Sequence, residues 1–145
     1  MLLTLPGIPG LYTGDEFGAE FEPYGHRRAI RWDDAHGLRP WYSALLRLRR
    51  NLPALRSREL RLLDLPGAGQ VLAYLRPGKD KPRDGILVLL NFGSGPVEVK
   101  IPESTLAELP PRPTLEDLLD GSEMDEREAA TVRLPGYGVR ILKAP

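Results

Sequence analysis

Asp15 and Glu16 are adjacent carboxylates near the N-terminus, and their types could support acid–base chemistry. Such chemistry needs two carboxyl groups held around the reacting bond, one of them with a raised pKa. Residues 11–13 are the part of this segment able to form a short strand, and adjacent residues on a strand point to opposite faces. We therefore expect that Asp15 and Glu16 cannot flank one reacting bond and that they tie down a loop.

The chain offers little for metal or nucleophilic chemistry. It has no cysteine and two histidines, His26 and His36, with no metal ligand or nucleophile at a spacing that suggests a site. We predict exposed loop positions for both histidines, no metal and no cofactor. The absence of cysteine is compatible with a reducing compartment, and we expect a cytoplasmic location.

Length and charge exclude several classes of protein. The 145 residues cannot hold a complete (β/α)8 barrel, which takes about 250. The 20 basic and 20 acidic side chains cancel, and the 16 arginines are scattered among acidic residues, so we predict no nucleic-acid partner. The apolar N-terminus has no basic start and is interrupted by Pro6 and Pro9, so we predict no membrane segment.

Glycine and proline recur up to Gly37, which indicates a loop-rich segment. Residues 38–52 then show apolar side chains at helical spacing with arginines between them, and Pro40 suits a first helical turn. The apolar positions are Leu38, Trp41, Tyr42, Leu45, Leu46, Leu48 and Leu52. This pattern predicts one amphipathic helix that ends before Pro53.

Beyond Pro53 the apolar residues form short runs separated by turns rich in glycine and proline, which is typical of an all-β domain. The predicted strands are residues 59–65, 70–76, 85–92, 97–101, 130–134 and 139–143. The run at 86–90 is apolar throughout, which predicts a central strand. Residues 102–128 are acidic and rich in proline, and we expect a loop or a short helix there. Its predicted anchors are Leu115, Leu118 and Leu119. The fold class is mainly β, a small antiparallel sandwich preceded by a loop-rich segment and one helix.

Residues 7–18, GIPGLYTGDEFG, resemble the motif G-x-P-x-x-Y-x-G-D/E-E-x-G around the eighth barrel strand of the α-amylase superfamily, glycoside hydrolase family 13. Residues 26–33, HRRAIRWD, are similar to the R-x-P-M-x-W-D stretch of neopullulanases and cyclomaltodextrinases. Residues 41–55 are similar to the helix that closes the barrel, W-Y-x-x-L-I-x-L-R-x-x-x-P-A-L. Strands and the last hairpin of the family's domain C are similar to residues 72–76, 86–92 and 134–142. These motifs follow the family's order over nearly the whole chain.

The resemblance implies the C-terminal part of an enzyme of α-glucan metabolism. Residues 1–55 would be the end of the (β/α)8 barrel, and residues 56–145 would be domain C, a Greek-key β-sandwich. In full-length relatives the nucleophilic Asp, the general-acid Glu and the transition-state-stabilising Asp lie on barrel strands four, five and seven, upstream of the matching part. The resemblance therefore implies that this chain has no catalytic residue and does not hydrolyse glycosides unaided.

The resemblance also implies sugar contacts. Arg27 matches the family arginine that helps to hold sugar units on the non-reducing side of the cleavage point. Tyr12 matches an aromatic position near the barrel mouth, where a ring could stack on a sugar. The predicted substrate-binding residues are Tyr12, Asp15 and Arg27. Three further aromatic residues lie among apolar residues, and for these the expectation is core or interface packing: Trp32, Trp41 and Tyr42.

Without a barrel beside it, the apolar face of the predicted helix would be exposed to water, and strand edges at the start of the chain would be unpaired. Both features favour packing against another surface. We expect residues 1–55 to dock on domain C, to be disordered in part or to be shared between chains. The predicted partners are a second copy of the chain, a glycosidase fragment that carries the rest of the barrel, and an α-glucan. Three functions stay open: a non-catalytic portion of an α-glucan hydrolase, a subunit that completes a split hydrolase, and a small glucan-binding module that uses Tyr12, Trp32 or Trp41.

Overall fold

The structure, a computed structural model, describes residues 1–19, 32–78, 84–107, 109 and 114–144. The helices in these ranges are α1 (Leu38–Asn51), α2 (Pro53–Arg56), α3 (Glu103–Leu106) and α4 (Glu126–Ala130). The strands are β1 (Arg61–Leu63), β2 (Val71–Arg76), β3 (Ile86–Asn91), β4 (Val97–Lys100), β5 (Thr114–Asp117), β6 (Glu123–Asp125), β7 (Thr131–Leu134) and β8 (Val139–Lys143). Short 3-10 helices lie at Leu2–Thr4 and Asp15–Phe17.

The strands form a six-stranded sheet in the order β1-β2-β3-β8-β5-β6 and a two-stranded sheet of β4 and β7. Every pairing is antiparallel. The pairings β3–β8, β4–β7 and β5–β6 are nested inside one another, which is a Greek-key type of arrangement. The expected antiparallel sandwich is therefore confirmed.

Six of the strands lie within the ranges predicted from the sequence, and the other two correct that prediction. The acidic stretch 102–128, expected to be a loop or short helix, contains β5 and β6 as well as α3 and the start of α4. β5 is held by pairing with β8, which aligns Glu116 with Lys143 and Asp117 with Leu142. Its strand conformation thus depends on a neighbour that local composition does not reveal.

β3 lies inside the six-stranded sheet, and all six of its residues are buried, as its apolar run predicts. Leu87 and Leu89 face the two-stranded sheet and pack in a cluster with Val99 and Val132. Ile86 and its alternate neighbours face the other way, into a second cluster. The sheet therefore has an inner face, turned towards β4 and β7, and an outer face.

Residues from the N-terminal segment and from helices α1 and α2 cover the outer face. Leu45 and Leu48 of α1 and the fully buried Leu55 of α2 pack in one cluster with Tyr74 and Val88 of the sheet. Docking on the sheet, one of the three expectations for residues 1–55, is what these described residues show. Within the described ranges no helix is both long and apolar enough to cross a bilayer.

Two predictions about the N-terminal segment need correction. Residues 11–13 are not a strand, because the chain turns there and enters the 3-10 helix Asp15–Phe17. The argument that Asp15 and Glu16 point to opposite faces of a strand therefore does not apply. α1 ends at Asn51 as predicted, and Pro53 opens a further short helix, α2, at a position where its missing N–H costs nothing.

Two arginines connect the N-terminal segment to the outer face. Arg76 of β2 is fully buried and donates hydrogen bonds to the carbonyls of Thr4, Ser57 (2.7 Å) and Glu59 (2.9 Å). Arg49 of α1 is 8% exposed and donates to the carbonyls of Leu3 (2.9 Å), Leu5 (2.9 Å) and Gly7. Arg76 also donates to the Ser57 hydroxyl at 3.5 Å, and the partners named before it are backbone carbonyls. Burial is the first cause that lowers the pKa of the Arg76 guanidinium, followed by the nearby positive charge of Arg49.

A buried hydroxyl pair completes this contact. Thr4 Oγ1 donates to the carbonyl of Met1 (2.8 Å), so its oxygen accepts from the Tyr74 hydroxyl at 2.6 Å. Burial raises the pKa of Tyr74, while this hydrogen bond and the charge of Arg76 oppose the rise. We name the set Thr4, Arg49, Tyr74 and Arg76 the polar seam. Among the described residues, no buried side-chain polar atom is left without a hydrogen-bond partner.

Candidate functional site

The carboxylates singled out from the sequence bind the loop that carries them. Asp15 Oδ2 accepts from the backbone N–H of Tyr12 at 2.8 Å, and Glu16 Oε2 accepts from that of Gly14 at 3.1 Å. Gly14 has φ of 102°, a conformation that favours glycine. The expectation that Asp15 and Glu16 tie down a loop therefore agrees with the hydrogen bonds.

One aromatic side chain anchors this loop to the start of α1. Phe17 is buried, meets the edge of Trp32 with ring centroids 5.6 Å apart, and lies 4.3 Å from the guanidinium carbon of Arg39. Asp34 accepts hydrogen bonds from the backbone N–H groups of Leu38 (2.8 Å) and Arg39 (3.2 Å), which satisfies two free donors of the first turn. The loop and the helix start thus form one continuous packed unit.

The predicted substrate-binding residues are only partly brought together. The backbone of Tyr12 contacts the side chain of Asp15, and the Tyr12 ring is 76% exposed. Arg27 and His26 lie outside the described residues. His36 is exposed, as predicted. The expectation for Trp32 and Trp41 is core or interface packing. Neither lies in the core of this chain, since they are 62% and 44% exposed, although the Trp32 ring contacts Phe17.

Residues 1–19, 32–78, 84–107, 109 and 114–144 contain no group of three or more His, Cys, Asp or Glu side chains able to hold a metal ion. The candidate chemistry must therefore be sought in hydrogen bonding and aromatic surface.

A groove at the junction of α1 with the sheet concentrates such groups. It encloses a volume of about 560 Å³ between the first turns of α1, the β5–β6 turn and the β7–β8 hairpin. Trp41, Tyr137 and Arg140 line it, together with Asp117 and Asp120. We name it the hairpin groove.

Arg140 supplies the charged centre of the hairpin groove. One guanidinium nitrogen lies 2.8 Å from Asp117 Oδ2 and 3.2 Å from Asp120 Oδ2. The hydrogen bond to Asp117 is the first cause that raises the pKa of Arg140. The pKa of Asp120 is lowered, chiefly by the hydroxyl and backbone N–H of Ser122 and then by Arg140. Arg140 and Asp120 are therefore charged at neutral pH, and Asp117 accepts the shorter of the two ion-pair contacts.

A rigid turn presents the Tyr137 ring. Tyr137 has φ of 54°, and it is the one non-glycine residue with positive φ in the described part of the chain. Its N–H donates to the carbonyl of Gly93 at 2.8 Å, and the buried Asn91 amide donates to the carbonyls of Gly95 (2.9 Å) and Pro135 (2.8 Å). A Cβ on Gly136 would collide with the carbonyl oxygen of Ser94, so this approach requires glycine.

The sequence interpretation missed most of this groove. The turn at 135–138 belongs to the predicted last hairpin. Tyr137 lies there between two glycines, a pattern typical of a tight turn, and this pattern could have indicated an exposed, constrained ring. Asp117 and Asp120 were missed because they lie in the stretch predicted to be a loop or short helix. Their pairing with Arg140 spans 23 and 20 positions of sequence.

A search against protein-family models finds no match for this chain. A search of curated proteins finds α-amylase MalA of Haloarcula japonica, 38% identical over 111 residues, which is 72% of this chain and 16% of the relative. The chain thus spans about a sixth of the length of the curated relative that it matches.

Solved structures share the fold over 99% of this chain. A crystal structure of AmyP in complex with maltose matches with a TM-score of 0.76 at 18% identity, over 32% of its own length. Ttha1563 from Thermus thermophilus matches with a TM-score of 0.74 at 26% identity, over 29% of its length. An Anoxybacillus α-amylase matches with a TM-score of 0.74 at 21% identity, over 31% of its length.

The sandwich with a helix packed on its outer face is the fold of a segment of larger proteins that include α-amylases, as these neighbours show. The relation to MalA adds the sequence evidence that the low-identity structures lack. The chain belongs to the α-amylase family of glycoside hydrolases and corresponds to its C-terminal part.

Proposed function

We propose that this chain is the C-terminal portion of an α-glucan hydrolase of neopullulanase or cyclomaltodextrinase type, and that it is not catalytic alone. In this proposal residues 1–55 end the barrel and residues 56–145 form domain C. The relation to an α-amylase over 16% of its length supports the proposal. Neighbours solved with maltose and maltotriose support α-glucan as the substrate class.

The observation that carries the proposal is the two-sided character of residues 1–19. One side is packed on the sheet, where Leu3 and Thr4 are buried. The other side exposes apolar groups: Ile8 is 99% exposed, and Leu11 and Tyr12 are exposed beside it. Trp32 adds a further exposed ring close to this loop, against Phe17. Several exposed apolar side chains within one short segment fit a partner of barrel character.

The position of the local carboxylates supports the non-catalytic part of the proposal. Asp15 and Glu16 each accept a backbone hydrogen bond within their own turn. Retaining and inverting glycosidases need two carboxyl groups that flank the bond at a fixed separation of about 5–9.5 Å. A pair committed to holding a loop is not arranged for that work.

The direct test is reducing-sugar release by the purified 145-residue chain on soluble starch, pullulan and cyclodextrin. We expect no release above a heat-inactivated control. Release that Asp15→Ala or Glu16→Ala abolishes would contradict the proposal. Release that survives in both variants would indicate a contaminating hydrolase, and further purification should then remove it.

The exposed apolar side of residues 8–12 also favours a second candidate, a subunit that completes a split hydrolase. Co-expression with a barrel fragment from a family member that lacks its last strand and domain C should then yield a complex with starch-hydrolysing activity. Ile8→Asp should prevent assembly, because it places a charge at the most exposed apolar side chain of this segment. Leu62→Asp on β1, where Leu62 is also exposed, is the matched control and should assemble normally.

Failure of the wild-type chain to assemble would contradict the second candidate and leave the first. Sedimentation of the chain alone tests the remaining partner proposal, self-association through the same surface. The proposed location is cytoplasmic, for which the absence of cysteine in the sequence is the support.

A further inference from the structure

We propose that the hairpin groove binds the glucosyl units of a linear α-1,4-glucan, with Tyr137 and Trp41 as stacking surfaces and Arg140 and Asp120 as hydroxyl partners. The choice of an α-linked glucan rests on the proposed function. The assignment to a neutral sugar rests on the groove itself.

Two aromatic rings line one cavity from different elements. Trp41 comes from the first turns of α1 and is 44% exposed, while Tyr137 comes from the β7–β8 hairpin and is 74% exposed. Burying these rings under a ligand would release water from a large apolar area. Sugars present C–H groups on one face and hydroxyls at the edge, which suits an aromatic ring beside polar groups.

The backbone of Tyr137 gives an independent indication. A bulky residue in the left-handed region is strained, and such strain is concentrated at ligand clamps and active sites. Glycine at this position would relieve the strain, so folding alone does not require a tyrosine. The hydrogen bonds of Asn91 to both turns fix the backbone that carries the ring.

The charges at the groove favour a neutral ligand. The single positive charge of Arg140 faces the two carboxylates of Asp117 and Asp120, so the three groups sum to one negative charge. A phosphate or a nucleotide would meet no net positive charge there. Both carboxylates contact the same guanidinium nitrogen of Arg140, and the other guanidinium nitrogens carry further N–H donors. The exposed Asp120 can accept a hydrogen bond from a sugar hydroxyl.

The dimensions agree with a short sugar segment. The volume of about 560 Å³ falls in the usual range for small-ligand pockets, about 300–1,000 Å³. Phe92 is an aromatic residue of similar exposure, 58%, that does not line this groove. It therefore serves as a matched control.

The test is calorimetric titration of the 145-residue chain with maltohexaose and, separately, with cellohexaose as the β-linked control. We expect binding of maltohexaose, weakened about tenfold or more by Tyr137→Gly and by Trp41→Ala, because each variant removes one stacked ring. A tenfold loss of affinity corresponds to roughly 1.4 kcal/mol. Phe92→Ala should bind as the unaltered chain does.

Thermal melting of each variant separates binding from folding. Tyr137→Gly should melt at the same or a higher temperature, because it removes the ring and the strain together. Lack of maltohexaose binding at low-millimolar concentration, equal binding of cellohexaose, or undiminished binding by folded Tyr137→Gly would each overturn the assignment. A chain that restores hydrolysis with a barrel fragment and does not bind maltohexaose would overturn this inference while leaving the proposed function standing.

Discussion

The two faces of the six-stranded sheet are buried by different means. The inner face is lined with aliphatic side chains, such as Leu75, Leu87 and Leu89, that pack against the two-stranded sheet. The outer face combines apolar packing with the polar seam, where two arginines bind backbone carbonyls. The inner face is thus held by non-directional burial, and the outer face also by directed hydrogen bonds. The difference teaches that docking of the N-terminal segment depends on specific long-range partners.

The largest expected effect on the free energy of unfolding comes from removing the N-terminal segment that packs on the outer face. Deletion of residues 1–37 removes all three carbonyl partners of Arg49, one partner of Arg76 and the acceptor of the Tyr74 hydroxyl. We expect a loss on the order of 5 kcal/mol, from these lost hydrogen bonds and from the apolar contacts that buried residues such as Leu3 no longer make. The inner cluster stays intact, so unfolding should remain cooperative.

Denaturant unfolding followed by circular dichroism measures this effect. A broad, non-cooperative transition would contradict the comparison, because it would show that the inner face is not stable without the N-terminal segment. A transition at unchanged denaturant concentration would instead show that the polar seam contributes nothing.

The inner face is broken most directly by Leu89→Ala. Leu89 is fully buried in the inner cluster, and truncation of such a residue costs about 3 kcal/mol in transfer and cavity terms. Leu62→Ala is the control, since Leu62 is exposed and should change stability by less than about 0.5 kcal/mol. Equal midpoints for the two variants in urea would contradict the assignment of the inner core.

The outer face is tested next by Arg76→Met, which keeps much of the side-chain volume and removes the donors. The carbonyls of Ser57 and Glu59 would lose a buried partner, as would that of Thr4, and we expect a loss of about 2 kcal/mol. Unchanged stability would show that water replaces the guanidinium. The exposed Arg47→Met on α1 supplies the control, with no expected change.

The smallest effect concerns the hydroxyl pair and depends on pH. Tyr74→Phe removes the donor to Thr4 and should cost about 1 kcal/mol at neutral pH. Burial raises the pKa of Tyr74 above its ordinary value of 10.0. The native state therefore holds this proton longer than the unfolded chain does, so stability falls as pH rises beyond about 10.

Urea midpoints at about pH 8 and about pH 11, on either side of the ordinary tyrosine pKa, test this point. The unaltered chain should lose more stability between these two values than Tyr74→Phe does, and equal losses would assign the alkaline effect to other groups. The lowered pKa of the neighbouring Arg76 acts in the opposite direction, because the unfolded chain then binds that proton more tightly than the native state does.

Much of the architecture followed from local pattern. The period of the apolar residues placed α1 and six strands, and the uninterrupted apolar run marked β3 as central, because burial on two faces leaves no alternation. The ordered motifs of residues 7–18 and 41–55 identified the family before any contact was known. These features are encoded within short windows of sequence, where hydrophobic periodicity is sufficient.

Tertiary structure alone decided the rest. β5 and β6 are short and acidic, and only pairing with β8 and with each other makes them strands. Arg49 and Arg76 are of a residue type that ordinarily faces solvent. Both are buried here, because carbonyls 46 and 72 positions away in the sequence accept their hydrogen bonds. The hairpin groove likewise joins Trp41 to Tyr137 across most of the chain. Sequence patterns report which faces avoid water, whereas partners of directed polar bonds are chosen by how the elements pack.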